Sequence, residues 1–217
     1  MAAAALMLRD ETSPSQRTIR GGPLPVPEGP IGVAFLVSAG SNVIDMTGPW
    51  EVFQDVPRRP GFRLFTVAET AEPVRLTGGL QVIPDHTIDN APQPHVIVVP
   101  AMRGTPRVLE WLKAMSAKTD LTMSVCTGAF QLARAGLLNG QPATTHHEFF
   151  DAFARDFPDV KLQRGFRFIE TGRNLATAGG LTSGIDLALR TVERYFGRPV
   201  AQQTADYMEY TGTGWIA

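Results

Sequence analysis

The sequence predicts one α/β domain, a doubly wound and mostly parallel sheet sandwiched by helices, and three observations carry that reading. Ile31 to Val37 (IGVAFLV), His95 to Val99 (HVIVV) and Leu121 to Val125 (LTMSV) are short, nearly unbroken apolar runs. Strands covered on both faces require such runs, whereas a half-exposed strand would alternate. Each run is followed by a turn signal and then a helical pattern, the alternation that gives parallel strands joined by crossover helices. The 217 residues, 43% of them hydrophobic, suffice for one sizeable core.

Residues 1–30 are Ala-rich, then Ser/Thr/Arg-containing, then interrupted by Pro23, Pro25, Pro27 and Pro30, with no sustained apolar period. They are expected to form a mobile extension ahead of a domain spanning 31–217. After the first strand, helices are expected over Pro49 to Val56, Thr105 to Ala117 and Thr127 to Leu138, the last closed by Asn139-Gly140. Phe62 to Ala68, Pro73 to Thr77 and Leu80 to Pro84 fit short strands separated by Glu/Pro and Gly78-Gly79 turns. Beyond Glu148 a further helix is expected, then a hairpin of Phe166 to Ile169 with Leu175 to Ala178. Two closing helices follow, over Thr182 to Phe196 and Pro199 to Glu209.

Composition narrows the function. Twenty basic against 21 acidic side chains leave a formal charge of −1, and no Lys/Arg stripe could neutralise phosphates, so nucleic acid and anionic membrane are poor partners. No apolar run approaches the ~20 residues that span a bilayer, and Met1 to Met7 lacks the basic flank of a secretory signal, so a cytoplasmic protein is expected. The single cysteine excludes an internal disulfide and leaves one thiol to explain.

That thiol, Cys126, lies in Ser124-Val125-Cys126-Thr127-Gly128-Ala129, where an apolar strand meets a helix with no room for a loop. The pattern fits a nucleophile elbow: the pivotal residue is strained, and small neighbours let strand and helix approach closely. A cysteine at a helix N-terminus is expected to favour the thiolate. In Val43-Ile44-Asp45-Met46-Thr47-Gly48-Pro49, Pro49 suits a first helical turn and Thr47 can cap it, leaving Asp45 free to face the cleft at the same sheet end; without the cysteine, Asp45 reads first as a helix-start acid. The turn Pro100-Ala101-Met102-Arg103-Gly104 can aim backbone N–H groups at a developing negative charge or serve only as a connection. His146 and His147 are adjacent, with no second cluster at ligand spacing, so no metal site is expected. Gly179-Gly180-Leu181-Thr182-Ser183-Gly184 suits a tight strand-to-helix entry and close packing rather than a phosphate cradle.

Together these blocks resemble the ThiJ/PfpI superfamily, within it the isocyanide hydratases and the amidotransferase-like domains of some transcription regulators. The resemblance runs from about Ile31 to Phe196. It is carried by Asp45-Met46-Thr47-Gly48-Pro49, Ser124-Val125-Cys126-Thr127-Gly128, Gly136-Leu137-Leu138 with Ala143-Thr144-Thr145-His146, and Gly179 to Asp186. It implies a flavodoxin-like, class I glutamine amidotransferase-like fold and a homodimer. It also implies hydration of a small-molecule isocyanide without cofactor or metal, Cys126 as nucleophile and Asp45 as the carboxyl group beside it. Thr127, Ala101, Met102 and Gly128 would then line the substrate and oxyanion positions. Thr127 directly after the cysteine matches isocyanide hydratases, where peptidase-type and related hydrolases carry histidine. Where the family usually reads Pro-Gly-Gly, this chain reads Pro100-Ala101-Met102, a loop that a glycine-only conformation would strain. A non-catalytic redox or ligand sensor, or a glyoxalase, deglycase or peptidase activity, are the alternatives.

Overall fold

The computed structural model describes residues 21–172 and 174–216. In chain order the elements are β1 (Ile31–Leu36), α1 (Val43–Gln54), β2 (Phe62–Ala68), β3 (Val74–Arg75), β4 (Gln81–Val82), β5 (His86–Thr87), β6 (Val96–Val99), α2 (Pro106–Ser116), β7 (Leu121–Ser124), α3 (Gly128–Arg134), β8 (Pro142–Ala143), α4 (Phe150–Asp156), β9 (Lys161–Leu162), β10 (Phe168–Thr171), β11 (Leu175–Ala178), α5 (Ser183–Phe196) and α6 (Arg198–Tyr207). The central sheet runs β10-β11-β7-β6-β1-β2-β5. Every neighbouring pair is parallel except the edge hairpin β10–β11. The expected doubly wound sandwich is therefore present.

Burial on both faces explains the unbroken apolar runs: all six residues of β1 and all four of β6 and β7 are buried. One core lies under α1, α5 and α6, with Phe35, Met46, Phe53, Leu187 and Trp215 among its members. The other lies under α2, α3 and α4, built on Leu36, Ile97, Leu112, Leu132 and Phe153. Chain order places β2 on one side of β1 and β6 on the other, so the loops after β1 and β6 diverge at a topological switch point. Ligands of such sheets collect there, beyond the carboxyl ends of the strands. Among the described residues, no helix is long and apolar enough to cross a membrane.

Two helices differ from expectation, each for a local reason. α1 begins at Val43, with Pro49 inside it, so Asp45 lies in the first helical turn and not in a loop before it. Thr47 does not cap the helix; its Oγ1 donates to the Val43 carbonyl at 3.0 Å. α3 ends at Arg134 because Gly136 adopts φ 75°, and the Leu137 N–H returns to the Leu132 carbonyl at 3.0 Å. Left-handed glycine therefore closes α3 well before Asn139-Gly140.

The expected mobile prefix is also modified. Residues 1–20 lie outside the described residues, but Gly21, Gly22 and Leu24 are held on α5. Arg190 Nη2 donates to the Gly21 carbonyl at 2.9 Å, Arg194 Nε to the Gly22 carbonyl at 2.8 Å, and the Leu24 N–H to the Arg194 carbonyl at 2.8 Å. Both arginines also ion-pair with buried Glu170, at 3.0 and 3.3 Å. The carbonyls thus help satisfy charges that would be costly if left buried alone. Deleting residues 1–25 should cost about 2 kcal/mol, a drop in Tm of roughly 4–8 °C for a domain of this size. Calorimetry on the truncated chain checks this, and an unchanged Tm would show that the segment adds nothing.

Candidate active site

Cys126 follows β7 directly, and its backbone is left-handed, with φ 58°. That conformation costs a β-carbon-bearing residue of order 1 kcal/mol or more and persists only where the surroundings impose it. Here the Cys126 N–H donates to the Gly179 carbonyl at 2.8 Å, and its own carbonyl accepts from Thr145 Oγ1 at 2.9 Å. Two residues on, Gly128 packs so tightly that a β-carbon there would sit 2.1 Å from the Val99 carbonyl oxygen. Glycine is obligatory at that contact, and the elbow expected from the sequence is formed.

Asp45, in the first turn of α1, is fully buried. Its Oδ2 accepts from the Ala101 N–H at 3.0 Å, while Oδ1 has no hydrogen-bond partner. The Cys126 thiol lies close enough for carboxyl and sulfur to alter each other's ionisation, and the Leu181 N–H faces both. Loss of solvation on burial raises the carboxyl to about 6, against the opposing pull of the Ala101, Cys126 and Leu181 contacts. Burial also raises the thiol to about 12, reinforced by the Asp45 charge and only partly offset by the Thr127 and Leu181 N–H groups. Burial and the Asp45 charge thus both favour keeping the proton on sulfur.

This corrects the expected resting thiolate. Cys126 is only 6% exposed, so lost solvation and the neighbouring negative charge outweigh the backbone donors.

The structure separates the other expected site residues. The Thr127 N–H faces the sulfur. The Ala101 N–H is occupied by Asp45, so it fixes the carboxylate and is not an open oxyanion donor; the Ala101 carbonyl accepts from the Asn42 N–H at 3.0 Å, tying this loop to the start of α1. Met102 is buried in the core on the α2 and α3 face, and its carbonyl accepts from Gln131 Nε2 at 2.9 Å. Neither Ala101 nor Met102 has a left-handed backbone, so replacing the usual glycines leaves no strain there. The Gly128 N–H donates to the Val125 carbonyl at 2.9 Å, so Gly128 serves close packing and not oxyanion binding.

Sequence reasoning missed two contributors. Thr145 anchors the elbow carbonyl, and Leu181, 41% exposed with φ 53°, turns its N–H onto the pair. Leu181 stands in a glycine-rich turn that was legible, but a left-handed leucine gives no sequence signal. The His146 Nδ1 accepts from the Glu148 N–H at 3.2 Å. Its ring stacks on His147 at 4.6 Å. Among the described residues, no three His, Cys, Asp or Glu side chains are grouped to hold a metal.

The raised carboxyl has a consequence for stability. A folded value near 6 against 3.8 means that the folded state binds the Asp45 proton more tightly than the unfolded chain does. The resulting stabilisation, up to about 3 kcal/mol, is complete below pH 3.8 and lost as pH rises through about 6. Asp45→Asn should therefore raise Tm at pH 8 and give no gain at pH 4, as calorimetry across that range would show; equal effects at both pH values would contradict a raised carboxyl.

The comparisons with known proteins agree with this architecture. The chain is 32% identical over 185 residues to an isonitrile hydratase of Pseudomonas putida, covering 82% of this chain and 78% of that protein. It is 28% identical over 201 residues to the HTH-type transcriptional regulator GbdR of Pseudomonas aeruginosa, covering 89% of this chain but only 54% of the regulator. A crystal structure of a ThiJ/PfpI family protein from Pseudomonas syringae superposes with a TM-score of 0.75 at 26% identity, covering 95% of this chain and 83% of that one. With residues 32–194 matching the DJ-1/PfpI family, the chain belongs to that family.

Proposed function

We infer that the protein hydrates isocyanides to N-substituted formamides without a cofactor, through a thioimidate on Cys126. The observation that carries the reading is the left-handed, buried Cys126 beside the buried Asp45 carboxyl, whose Oδ2 the Ala101 N–H holds. Similarity to the Pseudomonas putida isonitrile hydratase and the threonine after the cysteine support it.

Hydration needs a proton placed on the terminal carbon of R–N≡C, and the pair supplies one. As sulfur bonds to that carbon, the thiol proton passes to Asp45 and from Asp45 to the carbon, giving R–N=CH–S–Cys126. No free thiolate accumulates, since burial and the Asp45 charge hold the proton on sulfur until the S–C bond forms. Water then adds to the thioimidate carbon, one water proton going to nitrogen. The C–S bond breaks as the hydroxyl proton returns through Asp45 to sulfur, and R–NH–CHO leaves. Within this proposal Thr127 and Leu181 steady the sulfur through their N–H groups, and the protein works as a cytoplasmic homodimer.

Similarity to GbdR supports a second reading, a ligand or redox sensor of the same fold. The two separate in one assay, formamide production from a small aliphatic isocyanide by the purified protein. Turnover supports the hydratase; none leaves the sensor.

Cys126→Ala should abolish turnover and any covalent adduct detectable by mass spectrometry. Asp45→Asn keeps the size of the side chain but has no acidic proton to give, so the chemical step should slow by the 10²–10⁴-fold typical of general acid–base catalysis. Wild-type kcat in Asp45→Asn would assign the proton to another donor. Removing the Asp45 charge should also lower the thiol pKa, so iodoacetamide should alkylate Cys126 faster in Asp45→Asn than in wild type at pH 8; a slower reaction would contradict the electrostatic coupling.

A further inference from the structure

Beside the elbow lies a cavity of about 410 Å³, within the usual size range for a small-molecule pocket. Three of its wall residues also hold or face the nucleophile. Thr145 donates to the Cys126 carbonyl, Gly179 accepts from the Cys126 N–H, and the Leu181 N–H faces the sulfur. Two other cavities, about 490 Å³ beside Val37 and Ala68 and about 820 Å³ beside Leu24 and Asp120, include none of these three residues.

The remaining wall is rich in rings: His146, His147, Phe150 and Phe166. The two imidazoles are stacked, with an interplanar angle of 23°. The His146 ring is pressed so closely onto the Gly179–Leu181 turn that a β-carbon at Gly180 would lie 2.1 Å from its Cδ2, so glycine is required for the ring to form this wall. The Glu148 N–H on Nδ1 further fixes its orientation. The one arginine on the wall, Arg167, is compensated, its Nε donating to buried Asp186 at 2.6 Å. The cavity thus offers ring edges and the outer imidazole and Phe166 faces, the Phe150 ring being covered on one side by Arg164, itself paired with Asp151 at 2.6 Å.

We propose that this cavity receives the substituent on the isocyanide nitrogen and selects neutral, planar aromatic groups. The inference rests on the hydratase reading above. A free isocyanide is a straight rod through its C≡N unit, so one whose terminal carbon approaches Sγ carries its substituent away from the sulfur, towards the Leu181 and Thr145 wall. Offset-stacked or edge-to-face contacts with the four rings then favour an aromatic ring over an aliphatic chain of similar size.

The test is the ratio of kcat/KM for benzyl isocyanide to that for n-pentyl isocyanide, in wild type, Phe166→Leu and His147→Gln. Wild type should favour the benzyl compound roughly 10-fold, and each substitution, which removes one ring while keeping bulk, should lower the ratio about 3- to 10-fold. A wild-type ratio near one, or a ratio that neither variant moves, overturns the proposal while leaving hydration intact. If no isocyanide is turned over, the hydratase reading fails, and an NMR titration of Cys126→Ala with N-benzylformamide decides the cavity by itself. Shifts centred on Phe166 and Leu181 that weaken in the Phe166→Leu background support aromatic selection there; no shifts at these residues overturn it.

Discussion

The contact on which the site depends is the approach of the Gly128 backbone to the Val99 carbonyl. Because α3 starts flush against the end of β6, no loop can form between β7 and the helix, and Cys126 must take the whole change of direction in one left-handed residue. The same contact fixes how far the Pro100–Met102 loop stands from the elbow. From that loop the Ala101 N–H reaches Asp45, and the Ala101 carbonyl reaches Asn42. One steric constraint therefore positions the ends of β1, β6 and β7 together, and Cys126 and Asp45 with them. Any side chain at position 128 would push these apart before it touched either residue.

Burial then sets the chemistry. Solvent loss raises both acids, and the Asp45 charge further disfavours ionisation of Cys126, so the thiol keeps its proton beside the carboxyl. A surface cysteine at the same helix end would be a ready thiolate, open to adventitious oxidants and electrophiles. Here burial and the neighbouring charge hold the thiol protonated, and Asp45 carries the cost as a carboxyl group held out of water. A carboxyl that weakens the fold as pH rises and is nevertheless fully buried is what the proposed proton transfer requires.

The fold was legible because covered parallel strands must be continuously apolar, and β1, β6 and β7 are. The elbow was legible because so few small residues intervene between strand and helix. What escaped depended on conformation and solvation. Pro49 marks a possible helix start in sequence, yet α1 tolerates it internally, and Asp45 moved from the expected loop into the first turn. The thiolate expectation weighed the helix end without the burial, which only tertiary packing determines. The family resemblance implies Ala101 and Gly128 in the oxyanion set, but their N–H groups already have acceptors. The role of Leu181 requires a left-handed φ that leucine does not advertise.

The division between legible and hidden features follows the division of labour in the molecule. Cys126, Asp45 and Gly128 sit at the ends of regular elements, where the sheet dictates spacing, so any chain with this framework can present the same pair. The rings around the adjacent cavity come from His146 to Phe150 and from Gly165 to Arg167, segments that are irregular or only briefly helical. Such segments can change without disturbing the sheet. Comparable identity to a hydratase and to a regulator fits that arrangement: under the readings proposed above, the framework holds Cys126 and Asp45 and the cavity wall selects the molecule that reaches them.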